Sequence, residues 1–62
     1  MNLEWEAHEL TGQQVSGDWL VWDNGGVWYL DKLRGYEGYV TASDHETEEE
    51  AKDMAQLLED ME

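Results

Sequence analysis

Cysteine is absent from this 62-residue chain. Neither a disulfide framework nor a thiolate metal site can therefore support it, and the fold must rest on apolar residues alone. Phenylalanine is absent as well, so four tryptophans and three tyrosines are the rings available to close a core; each buries a large area per residue. Basic residues are scarce: Lys32, Arg34 and Lys52 stand against 16 Asp and Glu. No apolar stretch approaches membrane-spanning length. The opening Met1-Asn2-Leu3-Glu4-Trp5-Glu6 has neither a basic start nor an apolar run, so no signal peptide, no membrane contact and a cytoplasmic location are expected. A chain this short buries only about 60% of the surface its unfolded form exposes. One domain over residues 1–62, without a deep catalytic cavity, is the expectation.

What is present is acid. A formal net charge of -13 repels phosphate backbones and anionic membranes and steers the molecule toward basic surfaces. Direct nucleic-acid binding is accordingly disfavoured, and a protein partner with a basic surface is favoured. Solubility and adaptation to high salt are the competing uses of such a composition. Disorder, the other common fate of acid-rich chains, is opposed by the ordered spacing of the apolar residues.

That spacing begins at Leu3, Trp5 and Ala7, which alternate with Glu4, Glu6 and His8 in the two-residue period of a half-buried strand. Thr11 to Gly17 reads as a loop. Trp19-Leu20-Val21-Trp22 forms a short, continuously apolar strand, and Asp23-Asn24-Gly25-Gly26 carries a hairpin signal. Asn-Gly suits a two-residue type I′ turn, whose central residues both need positive φ. A turn at Asn24-Gly25 pairs Trp22 with Val27, Val21 with Trp28, Leu20 with Tyr29 and Trp19 with Leu30. It also sets Asp18 opposite Asp31, a like-charge pair suited to a solvent-facing rim. The second strand then runs from Val27 to about Lys32.

Directly opposed residues share a face of the sheet. Trp19, Val21, Trp28 and Leu30 make one face; Leu20, Trp22, Val27 and Tyr29 make the other. One helix can cover only one of them. An aromatic surface around Trp22 and Tyr29 is thus left for a partner, a second copy or a loop, with Tyr36 and Tyr39 as the intramolecular candidates for cover. Gly35 to Gly38 reads as a turn, and Tyr39 to Ala42 as a fourth short strand or an extended lead into the helix.

Ala51, Met54, Ala55, Leu58 and Met61, widened by Leu57, form the apolar stripe of a helix over about residues 47–61. Thr47 and Glu50 fit a capping box, Glu48 and Glu49 suit the positive end of the helix dipole, and Glu48 can pair with Lys52. The far end breaks the rule. Glu59, Asp60 and Glu62 sit where the dipole is already negative, at a cost of a few tenths of a kcal/mol each at low salt. Folding draws no benefit from them there, which points to another use. The exposed helix face, Glu48, Glu49, Lys52, Asp53, Glu59 and Asp60, is almost wholly negative, and a fixed row of carboxylates can stand in for phosphates. The candidate partner-binding residues are therefore Glu48, Glu49, Asp53, Glu59 and Asp60 on the acidic face, and Leu20, Trp22, Val27 and Tyr29 on the aromatic face.

Catalytic patterns are thin. His45 lies between Asp44 and Glu46, but sequence neighbours do not form a positioned acid–base pair. His8 falls on the polar side of the first strand. No metal-ligand spacing is present, Asp18, Asp23 and Asp31 lack the alternation of a calcium loop, and Gly25-Gly26 lacks the Lys and Ser or Thr of a phosphate-binding loop. No enzyme activity, cofactor or metal is expected.

Three strands followed by one helix, opened by Thr47-Glu48-Glu49-Glu50-Ala51, give the chain a topology similar to the AP2-like arm-binding domains of phage integrases. Those domains are basic and bind DNA through the sheet. With three basic residues here, the resemblance implies a topology and no site residues. In size, acidity and aromatic content the chain also resembles the small inhibitors made by phages and other mobile elements, which would place it in a host cytoplasm. The expected fold is α+β, an antiparallel sheet of three or four strands over about residues 2–42 with the C-terminal amphipathic helix on one face. The expected function is inhibition or regulation of a nucleic-acid-binding protein through the acidic surface. The alternatives are an adaptor or homodimer joined through the aromatic face, and an ordinary salt-adapted domain.

Overall fold

The computed structural model describes residues 2–61 and has the α+β class expected, with five strands rather than three or four. The strands are β1 (Glu6–Ala7), β2 (Gln14–Ser16), β3 (Trp19–Asn24), β4 (Val27–Leu33) and β5 (Tyr39–His45), and helix α1 spans Glu48–Met61. They form one antiparallel meander in the order β1-β2-β3-β4-β5. The core is a single cluster of Trp19, Val21 and Leu30 from the sheet with Ala51 and Ala55 from α1; Leu3, Trp5, Trp28, Met54 and Leu58 pack around it.

The β3–β4 hairpin differs from the sequence expectation by one residue. Its two-residue turn is Gly25-Gly26, with φ of 64° and 93°, and Asn24 joins β3 opposite Val27. Two glycines adopt positive φ with less Cβ conflict than an Asn at the first position would meet, so Asn24 is released to the ladder. Asp23 Oδ1 then accepts from Gly26 N at 2.9 Å. Moving the turn by one residue moves every partner by two, and a two-residue slip returns each side chain to the same face. The two faces are consequently those expected, although each pairing is changed. Val21 pairs with Leu30, Trp22 with Tyr29, and Leu20 with Asp31. The Asp18–Asp31 rim pair does not form: Asp18 O accepts from Leu33 N at 2.8 Å, and Asp31 is carried inward and buried.

Strand β2 lies inside the segment read as a loop. Its polar residues face the helix, because Gln14 is opposite Val21 and Ser16 opposite Trp19, while Val15, opposite Leu20, turns to the open face. That is the inverse of an apolar-inward pattern. Gln14 earns its place by bonding: its Nε2 donates to Glu48, and its Oε1 accepts from Lys52 Nζ at 2.7 Å. The first strand is shorter than its alternation suggested. Only Glu6 and Ala7 pair with β2, while Leu3 is held by α1, its N–H donating to Gln56 Oε1 at 2.7 Å. Leu3 and Trp5 alternate because they pack under the helix, not because they sit in a ladder. At the other edge β5 runs on to His45, with Ala42 left unpaired between Thr41, opposite Asp31, and Ser43, opposite Leu30.

The helix starts as its sequence dictates. Thr47 Oγ1 accepts from Glu50 N at 3.1 Å, and Glu48 meets Lys52 at 3.2 Å. Ala51 and Ala55 are fully buried, and their small size brings the helix close to β3 and β4. Met61 and Leu57, counted in the apolar stripe, are instead largely exposed. Leu30→Ala is expected to cost about 2–5 kcal/mol, against a change within about 0.5 kcal/mol for Leu10→Ala on the exposed β1–β2 loop. Urea denaturation followed by far-ultraviolet circular dichroism checks the contrast.

Candidate functional site

The five acids expected to act together divide into two groups on α1. At 100° per residue, Glu49, Asp53 and Asp60 fall within about 40° of one another around the axis and lie opposite the buried alanines. Neither the Glu49 nor the Asp53 carboxylate bonds within the described residues, while Asp60 Oδ1 accepts from Gln56 Nε2 at 3.0 Å. Glu48 and Glu59 fall on the helix flank and bond inward. Glu48 meets Gln14 and Lys52, and Glu59 Oε2 accepts from the indole Nε1 of buried Trp19 at 2.9 Å. Folding does therefore gain from an acid at position 59, because a buried indole N–H needs an acceptor. Glu62 lies outside the described residues.

Lysine chemistry follows the same inward logic. Lys32, 9% exposed, places its ammonium 4.8 Å from the Trp19 ring centroid. Lys52 places its own 5.6 Å from the Trp5 ring while bonding Gln14 and Glu48. Ammonium groups over indole faces are attracted by the ring quadrupole. One end of the helix is thus tied to the sheet through Glu59 and Trp19, whose cross-strand neighbour is Lys32, and the other through Glu48 and Lys52, which meet Gln14 of β2. Of the three basic residues, only Arg34 is fully on the surface.

The opposite side of the sheet carries the other candidate residues. Trp22 and Tyr29 are half-buried cross-strand partners with ring centroids 5.0 Å apart and planes 31° apart. Leu20 is buried beside them, and Val27 is exposed at the turn end of the same face. Tyr36 is fully exposed and gives no cover, while Tyr39, opposite Leu33, is nearly half exposed. The residue that sequence reasoning missed is Asp31. It is 6% exposed, its Oδ2 accepts from Trp22 Nε1 at 2.8 Å, and its Oδ1 is buried without a hydrogen-bond partner. A buried carboxylate oxygen left without a donor carries a desolvation penalty of about 1–3 kcal/mol or more. Only the corrected register could have found it, since the expected one left Asp31 at a solvated rim.

A groove of about 310 Å³ between β5 and α1 is lined by His45, Glu50, Asp53, Met54 and Leu57. His45 Nε2 lies 2.7 Å from Ser43 Oγ, two residues away on the same face. Among the described residues no carboxylate bonds the other imidazole nitrogen, so this pair lacks the orienting group of a nucleophile–base relay. Among the described residues, no group of three or more His, Asp or Glu is arranged to hold a metal ion, and no helix is long and apolar enough to cross a membrane. Searches against protein-family models, curated proteins and solved structures return no match for this chain.

The division of the acids is measurable. Glu59→Lys is expected to cost about 1–2 kcal/mol, because Trp19 Nε1 loses its acceptor and a second ammonium arrives beside Lys32. Asp53→Lys, with no bond to lose, should stay within about 0.5 kcal/mol. Equal effects in urea titrations would show that the Trp19–Glu59 bond is not what separates the groups.

Proposed function

We propose that this domain is a small acidic protein-binding module that inhibits or regulates a nucleic-acid-binding protein by occupying its basic surface. The observation that carries the reading is the inward use of cations. With Lys32 and Lys52 drawn against tryptophans and only Arg34 left outside, the outward surface is anionic almost throughout. The Glu49–Asp53–Asp60 row is its most regular part, about 16 Å long at the helical rise of 1.5 Å per residue. A docked helix fixes the spacing of these carboxylates before they meet a groove shaped for phosphates, and the field draws the two surfaces together before contact. Glu48 and Glu59 support the row from the side by holding α1 to the sheet.

A second reading rests on the uncovered Trp22–Tyr29 pair: an adaptor, or a homodimer, joined through the aromatic face. Its signature is opposite in sign. Trp22→Ala would release the assembly, and added salt would matter little.

The two are separated by capturing proteins from a lysate on the immobilised domain at low salt and at about 0.5 M salt, where charges are screened within a few ångströms. The triple variant Glu49→Lys, Asp53→Lys, Asp60→Lys serves alongside. Under the proposed function the wild-type domain retains nucleic-acid-binding proteins at low salt, loses them at high salt, and displaces a labelled duplex from them once purified. The triple variant should bind at least about tenfold more weakly, as expected when rim charges that steer association are reversed. Retention unaffected by both salt and charge reversal would overturn the reading.

A further inference from the structure

We propose that the open face of the sheet holds an arginine-recognition site in which Asp31 receives a guanidinium presented by a basic protein segment, with Trp22 and Tyr29 as its stacking surface. The starting point is the orphan oxygen. Asp31 is nine-tenths buried, one of its oxygens is bound by a neutral indole N–H, and the other has no donor. A carboxylate in that state is half satisfied, and the group that satisfies it completely is a planar fork of N–H donors carrying positive charge.

The surroundings favour the same chemistry. Trp22 is only half-buried and touches Asp31 through a single neutral hydrogen bond, so a guanidinium can take over both carboxylate oxygens while the displaced indole turns to lie along its plane. Tyr29 stands 5.0 Å from Trp22, on the strand that carries Asp31. Aromatic faces attract guanidinium groups, which are less strongly hydrated than ammonium groups and stack as flat ions. Asp44, exposed opposite Tyr29 on β5, adds a second negative charge to the same face. At Ala42 the β4–β5 ladder is interrupted beside Asp31, where local backbone pairing is already relaxed.

Charge selects among the occupants of this face. A second copy would bring another -13 onto it, whereas a basic segment arrives with the sign that the field attracts. Half-buried Val15, opposite Leu20 on the neighbouring strand, extends the contact beyond one side chain, which suits an arginine held in a polypeptide. This site lies on the side of the sheet away from α1. It deepens the proposed function by naming the residue type of the partner, yet it can be tested without the acidic row.

The test is titration of the ¹⁵N-labelled domain with N-acetyl-arginine amide at fixed ionic strength, reading the four tryptophan indole N–H resonances. The Trp22 resonance should shift saturably as its bond to Asp31 is exchanged, while that of Trp19, bonded to Glu59, stays in place. N-acetyl-lysine amide should bind at least about fivefold more weakly, since it lacks the planar fork. Asp31→Asn should lower arginine affinity at least about tenfold, as expected when a charged acceptor becomes neutral. If that variant fails to fold, Trp22→Phe reads the same site: it keeps a ring but removes the indole bond, and should leave arginine binding equal or tighter, followed through the Asp31 backbone amide. The helix triple variant should bind the probe within about twofold of wild type, so failure of the acidic row leaves this result standing. Uniform movement of all four indoles, equal lysine affinity, or unaltered binding to Asp31→Asn would overturn the proposal. So would a concentration-dependent shift of the Trp22 resonance without probe, which would assign the face to a second copy.

Discussion

Because Ala51 and Ala55 present only methyl groups to the sheet, α1 can approach β3 and β4 closely enough for Trp19, Val21 and Leu30 to fill the whole space between them. Much else in the molecule depends on that close approach. It brings Glu59 within reach of the Trp19 indole, Lys52 and Glu48 within reach of Gln14, and the Leu3 amide within reach of Gln56. A bulkier residue at either alanine would lift the helix and lengthen all of these contacts at once, since a close-packed interior has no slack to absorb the added volume.

Charge, too, is turned inward. A chain with few cations could have scattered them over its surface to temper the field. Here two of the three sit over indole rings, Lys32 over its cross-strand neighbour Trp19 and Lys52 of α1 over Trp5. The same residues that hold the fold together thereby leave its exterior more negative than the composition alone requires. Stability and outward electrostatics are set by one arrangement.

Elements whose polarity matched their burial were legible in the sequence. The helix, its Thr47 cap and the sorting of Trp19, Val21 and Leu30 from Leu20, Trp22 and Tyr29 follow from periodicity, and that sorting survived a misplaced turn because the slip was even. Three things were hidden. Strand β2 points Gln14 and Ser16 toward the core, so it looks like loop. Glu59 looks like an electrostatic fault until Trp19 supplies its partner across 40 positions of sequence. Asp31 looks solvated until Gly25-Gly26, and not Asn24-Gly25, makes the turn. Each depends on a contact between distant segments or on a register, neither of which local composition encodes. The acidic row was legible as residues, though not in its division, because the flank on which an acid falls matters only once something stands beside that flank.

The meander has a consequence for how the molecule assembles. Every strand pairs with its neighbour in sequence, so the sheet can grow outward from the β3–β4 hairpin with little loop entropy to overcome at any step, the condition for rapid folding. The contacts with α1 are the exceptions, and those that tie Leu3 and Trp5 to it across some fifty residues reach the farthest. These can close only when both ends of the chain have arrived. The N-terminal segment is thus a latch on a sheet that needs no template, and local opening of the native state should begin where that latch meets the helix.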